Sequence, residues 1–212
     1  MSGIFDWSLK QFLAEAASSA PTPGGGSVAA VCGSLAAAMV SMVANLTVGK
    51  EKYKDVESEM KEILAESANL LERLEMLVAA DMEAFNGFMA VLKLPKESEE
   101  QKAERGRRMQ EALVKATDTP LGIAETCMRI LELAGEAALK GNKGAVSDAG
   151  VAAFAAEAAL NAALLNVDIN VPSIKDNAYV EQAVGKRREL SRQAAVLREK
   201  AVGAVAARLA VN

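Results

Sequence analysis

From Ala16 to Gly49 the chain carries no charged residue. A run of that kind either enters a membrane or is buried in protein, and within it Val28 to Val48 is long enough to cross a bilayer. Its content argues for burial. The stretch is mostly Ala, Ser, Gly, Val and Met, contains Asn45 and Thr47, and lacks the Leu, Ile and Phe density and the basic N-terminal flank of a typical span. The expected structure is a helix buried on nearly every side, with a subunit interface as one way to bury it. Small residues at Ser27, Ala30, Ser34, Ala37, Ser41 and Ala44 give it a flat face that another backbone can approach closely. The N-terminus, with Asp6 and a mixed amphipathic run, does not read as a signal peptide.

Helical periodicity dominates the rest, and strand-like alternation is nearly absent. Ile63, Leu64, Leu70, Leu71, Leu74, Leu77 and Val78 form one apolar stripe, which Met82, Phe85, Phe88, Met89 and Leu92 continue. Helices are expected over 8–18, 27–48, 55–93, 97–116, 119–140, 147–166 and 176–209. Between them, Pro21 to Ser27 reads as a loop, Pro120 as the start of a new helix, and Gly141 to Gly144 as a turn, with Ser147 capping the helix after it. Val167 to Ile174, interrupted by Pro172, reads as extended. The 212 residues suit one domain, 1–212, an all-α bundle of about seven helices.

The chain has no histidine. That removes Ser-His-Asp and Cys-His nucleophile pairs, His-based zinc and haem sites, and imidazole acid–base catalysis. Proton transfer must fall to carboxylates, lysine, tyrosine, cysteine or water. No metal site and no permanently bound cofactor is expected. Cys32 and Cys127 sit in apolar helical contexts and read as buried free thiols, which suits a reducing cytoplasm. A net charge of −4 argues against nucleic acid or an anionic membrane surface as partner.

Two glycine-bearing loops enter helices, PTPGGGS at 21–27 and GNKGAVSDAG at 141–150. Such helix N-termini expose unpaired backbone N–H groups and attract anions, although the same glycines can merely let the backbone turn. Asp81 lies among Val78, Ala79, Ala80, Met82, Ala84 and Phe85. Partial burial there would favour its protonated form and suit it to acid–base work, whereas an outward-facing position would leave it an ordinary solvated carboxylate. Asp148, near a helix N-terminus, is pulled towards its charged form or is simply a capping residue. Two carboxylates biased in opposite directions can serve the acid and base steps of one reaction. Lys50, with Lys52 and Lys54, can hold an acidic ligand or compensate a helix C-terminus.

PTPGGGSVAA at 21–30, MVANLTVGKEKY at 42–53, DMEAFNGFMAVLKLPK at 81–96, GNKGAVSDAGVAA at 141–153 and NVDIN at 166–170 occur in this order. Together they resemble the formimidoyltetrahydrofolate cyclodeaminase/methenyltetrahydrofolate cyclohydrolase family, essentially end to end. The resemblance implies a cytoplasmic, all-helical homodimer with active sites near the subunit interface and a tetrahydrofolate derivative as substrate. Cyclodeamination of 5-formimidoyltetrahydrofolate to 5,10-methenyltetrahydrofolate and ammonia is the first activity it implies. Hydrolysis of 5,10-methenyltetrahydrofolate to 10-formyltetrahydrofolate is the alternative, and a non-catalytic folate-binding or structural helical dimer is a third. By motif position, Asp81 would be the general acid/base and Asp148 would share that work or orient the pterin. Asn142 and Ser147 would bind polar ring atoms, and the loop Pro23, Gly24, Gly25, Gly26 and Ser27 an anionic or carbonyl part of the ligand. Lys50 would take the glutamate tail, and Asn170 would line the pocket.

Overall fold

The structure, a computed structural model, describes residues 3–210. After a short 3-10 turn at Ile4–Asp6 come six α-helices: α1 (Leu9–Ala16), α2 (Gly25–Asn45), α3 (Glu57–Leu92), α4 (Glu99–Lys140), α5 (Val146–Asn170) and α6 (Asn177–Ala210). Further 3-10 turns lie at Glu51–Val56, Lys143–Ala145 and Val171–Ser173. The helix starts obey local chemistry. The Ser8 hydroxyl accepts from the Gln11 N–H at the head of α1, and Ser98 and Gln101 form a reciprocal capping box on α4. Asp176 accepts from the N–H groups of Ala178 and Tyr179 to start α6.

Six helices replace the expected seven because α4 runs unbroken through Pro120. A mid-helix proline leaves the carbonyl four residues earlier without its donor. Here that carbonyl belongs to Ala116, and the Asn170 side-chain amide donates to it at 2.9 Å. Asn170, expected to line the pocket, thus also holds α4 together at its proline. Two other boundaries also move. The 167–174 segment is the end of α5 plus a 3-10 turn, with no extended stretch until Ile174, and α5 starts without the expected Ser147 cap. Its cap residue is Ala145, and Ser147 is exposed.

Helices α2, α4 and α5 make the centre of the bundle, with α3 and α6 packed outside them. The small-residue face of α2 is used as expected: Ser27, Ala30, Ser34, Ala37 and Ala44 are buried, and Ser41 reaches the Ser67 hydroxyl at 2.7 Å. α5 answers with buried Ala149, Ala152, Ala156, Ala159 and Ala163. The two helices run antiparallel, Gly25 lying against Asn166 and the Cys32 thiol against the Ala155 carbonyl. α3 and α4 are also antiparallel, joined by ion pairs from Lys140–Glu59 and Arg129–Glu66 to Lys115–Glu83.

Within a single chain α2 is buried on every face but one. Val28, Leu35 and Met42, spaced by seven residues, stay 45%, 63% and 42% exposed. On α5, Val151, Phe154, Leu165 and Ile169 are exposed beside them. Helix α2 and the segment Lys143–Ser173 have the length and hydropathy of membrane-crossing helices, and about half of each apolar window (56% and 50%) is buried inside the bundle.

Candidate active site

Asp81 projects from α3 onto the first turn of α2. Its carboxylate accepts a 2.8 Å hydrogen bond from the Ser27 hydroxyl. A side chain at position 26 would occupy the same space, since a Cβ on Gly26 would lie 2.3 Å from Asp81 Oδ1. Glycine there is what lets the carboxylate reach the helix end. α2 begins with Gly24 as its cap residue and no side-chain cap, so the N–H groups of its first turn are left for other acceptors. Part of the expected loop is thus helix, and Gly25, Gly26 and Ser27 present their backbone from its first turn.

Burial raises the proton affinity of Asp81 above the ordinary carboxylate range, and the Ser27 hydroxyl and backbone N–H pull it part of the way back. The positive end of α2 also favours the ionised form, so the carboxyl is held between opposing influences rather than locked in one state. Asn166 completes this end. Its amide nitrogen donates to the Ala162 carbonyl, and its carboxamide stands 3.5 Å from where a Cβ on Gly25 would lie. Asn166 sits in the NVDIN motif, yet nothing in the sequence separates it from an ordinary polar residue near a helix end. Only the antiparallel packing of α5 on α2 brings it to the glycines.

The second glycine loop lies at the other end of α2. Gly141 is needed where α4 ends, because a Cβ there would approach both the Ala137 carbonyl and Val43 to 2.6 Å. The next residue, Asn142, is bound on all sides. Its N–H donates to Thr47 Oγ1 at 2.8 Å, its amide nitrogen to the Leu46 carbonyl at 2.8 Å, and its amide oxygen accepts from the Gly144 N–H and the Tyr53 hydroxyl. The Tyr53 hydroxyl in turn accepts from the Lys143 N–H at 2.9 Å. Asn142, expected to bind polar ring atoms, ties the turn to the C-terminus of α2 through its amide. Lys50 is exposed beside this network, Ser147 is exposed on the first turn of α5, and Asp148 is half-buried next to it.

Asp81 and Asp148 therefore do not meet within one chain. They lie at opposite ends of the 21-residue α2, roughly 30 Å apart at 1.5 Å per residue. Apart from Asn170, which bonds to α4, the expected site resolves into two parts: Pro23 to Ser27 and Asp81 at one end, where the fold adds Asn166, and Lys50, Asn142, Ser147 and Asp148 at the other, where it adds Tyr53. Among the described residues, no group of three or more His, Cys, Asp or Glu side chains converges as a metal site requires.

A family profile described as formiminotransferase-cyclodeaminase matches residues 8–189, taking in both parts of this site. The chain belongs to the formiminotransferase-cyclodeaminase family. A methenyltetrahydrofolate cyclohydrolase from Methylorubrum extorquens is 44% identical over 192 residues, covering 91% of this chain and 92% of that protein. The rat formimidoyltransferase-cyclodeaminase is 33% identical over 205 residues; that stretch is 97% of this chain but only 38% of the relative. A solved formiminotetrahydrofolate cyclodeaminase from Thermotoga maritima superposes with a TM-score of 0.88 at 30% identity, covering 97% of this chain and 99% of the other. The all-helical fold of this formiminotransferase-cyclodeaminase family member is thus shared along its length with that structure.

Proposed function

We propose that this chain acts on the one-carbon bridge between N5 and N10 of tetrahydrofolate, with Asp81 as its proton-transfer group. The observation that carries the reading is the Asp81 carboxyl: partly buried, raised in proton affinity, and aimed into the N-terminus of α2. In cyclodeamination, N10 attacks the formimidoyl carbon on N5 and loses its proton. The amine on the resulting tetrahedral carbon gains a proton and leaves as ammonia, giving the methenyl bridge. A carboxyl whose proton affinity is raised by burial can accept the first proton and return it to the leaving amine. The first-turn N–H groups of α2 offer donors to a carbonyl or anionic part of the ligand.

Cyclodeamination is supported by the Thermotoga cyclodeaminase, which matches this chain over nearly the whole of both. Hydrolysis is the second reading, and one observation favours it: the co-extensive relative at 44% identity is named a methenyltetrahydrofolate cyclohydrolase. Water would then add to the methenyl carbon, and cleavage of the N5–carbon bond would leave the formyl group on N10. Both reactions pass through a tetrahedral carbon and need the same proton shuttle.

The proposed working form is a homodimer. The exposed apolar side chains of α2 and α5 offer several hundred square ångströms, the scale of one partner's share (about 800 Å²) of a standard interface. No charged residue interrupts the α2 side of this face, and the α5 charges Glu157 and Asp168 are turned to Arg198 and Arg187 on α6. Antiparallel pairing of two α2 helices about Leu35 sets the Asp81 end of each copy against the Asn142 end of the other, joining the two parts of the site. The free thiols suit a cytoplasmic setting.

The test is a pair of absorbance assays against a buffer control. Enzyme-dependent rise of the methenyl signal from 5-formimidoyltetrahydrofolate, with ammonia release, establishes cyclodeamination. Accelerated loss of the methenyl signal establishes hydrolysis, and no acceleration in either assay refutes the proposed reaction.

A further inference from the structure

Helix α3 does not stop at the level of α2. Asp81 faces the first turn of α2, and α3 continues to Leu92, about 16 Å further at 1.5 Å per residue. Side chains four and seven positions along a helix return to nearly the same face. Phe85 and Phe88 therefore lie on the Asp81 face, about 6 and 10 Å beyond the carboxylate. In sequence they look like a continuation of the core stripe. In the fold they are half-buried and lie outside both clusters of packed core side chains, whereas Leu77 and Met82 join the main one. Past Gly24, α2 no longer faces this part of α3, so nothing from α2 covers the two rings as it covers the stripe below.

We infer that Phe85 and Phe88 form an aromatic wall of the substrate site, against which the flat pyrimidine face of the pterin stacks. This rests on the folate reading and adds to it the group that recognises the ring. The chemistry of the place supports that occupant. A heteroaromatic ring with polar edges needs an apolar surface for its face and hydrogen-bonding groups for its edge. Here the two rings supply the first, and the Asp81 carboxyl with the open N–H groups of α2 supplies the second. The nearby carboxamide of Asn166 adds a further polar edge against Gly25. Phe85 and Phe88 are positioning residues in this account, because neither can move a proton.

The test is direct binding of 5-formyltetrahydrofolate and of p-aminobenzoylglutamate, which lacks the pterin, to wild-type protein and to Phe85→Leu and Phe88→Leu. Phe85→Tyr is the aromatic rescue, and oligomeric state is measured by analytical ultracentrifugation throughout. Loss of a stacking partner predicts about tenfold weaker binding of the formyl-folate, unchanged binding of the pterin-free fragment, and recovery in Phe85→Tyr. KM should rise in the leucine variants while kcat is retained. Unchanged folate affinity in both leucine variants overturns the wall while leaving the folate reading intact. A change of oligomeric state overturns it too, because the rings would then be packing against protein. Failure of the wild-type protein to bind the formyl-folate overturns the folate reading itself and the wall with it.

Discussion

The Ser27 hydroxyl donates to the Asp81 carboxylate across 2.8 Å, joining the first turn of α2 to the middle of α3. That bond favours the ionised carboxyl, while burial, the larger influence, favours the neutral one. Ser27→Ala removes the hydroxyl and leaves burial opposed only by the Ser27 backbone N–H and the helix end. The limb of the kcat/KM–pH profile that reports Asp81 should move to higher pH in this variant, whether the limb rises or falls with pH. A pH series on both proteins measures it; a limb that stays in place or moves to lower pH contradicts the assignment.

Gly26→Ala places a methyl group where the Asp81 carboxylate now sits. Alanine is the better helix former by roughly 0.5–1 kcal/mol, so the helix itself has no reason to unravel. The displaced carboxylate should lower kcat by about a hundredfold, the usual scale for misplacing a catalytic group by an ångström. Circular dichroism should show an intact helical fold. Wild-type kcat in this variant would remove the close approach from the account.

Asn142→Ala should behave as a stability variant. It leaves the Leu46 carbonyl, the Gly144 N–H and the Tyr53 hydroxyl without their amide partner. The first two of these bonds are exposed and the third is part-buried, so the loss is about 0.5–1.5 kcal/mol, and for a chain of this size each kcal/mol lowers Tm by about 2–4 °C. Thermal unfolding checks this, and an unchanged Tm with weakened folate binding would return Asn142 to the ligand.

Mixing variants tests the shared site. If each site uses Asp81 of one copy and Asp148 of the other, Asp81→Asn and Asp148→Asn are each impaired alone. After equal mixing and re-association, half of the dimers are mixed and one of the two sites in each is intact. About a quarter of wild-type activity should return. No recovery, with dimer exchange verified, places both residues in sites that do not cross the interface.

Much of this architecture is legible in the sequence, and the exceptions have physical causes. The 3.6-residue stripe of α3 and the small-residue face of α2 identify a helical bundle because they record what is buried. Pro120 misleads because the sequence cannot show that Asn170, 54 residues away from Ala116, will satisfy the orphaned carbonyl. The open face of α2 is hidden because the helix is apolar all round, so only its neighbours decide which side stays bare. Asp81 stands out as a lone carboxylate among apolar residues. Asn166 does not, since its significance lies in the antiparallel contact with Gly25. The separation of Asp81 from Asp148 arises from the same antiparallel packing and cannot be read from motif order.

If Asp81 moves the proton, Asp81→Asn should show it in two readouts. Asparagine keeps the shape and can still accept from Ser27, but it cannot exchange a proton. Because burial raises the folded-state proton affinity of Asp81, its contribution favours folding below the ordinary carboxylate range and is lost as pH rises through the raised value. Once ionised, the partly buried carboxylate weakens the fold relative to its neutral form. Asp81→Asn should abolish turnover of whichever substrate the wild type uses, 5-formimidoyl- or 5,10-methenyltetrahydrofolate, while its Tm falls less than that of the wild type as pH rises. An Asp81→Asn protein that retains wild-type turnover in the absorbance assay would contradict that role for Asp81.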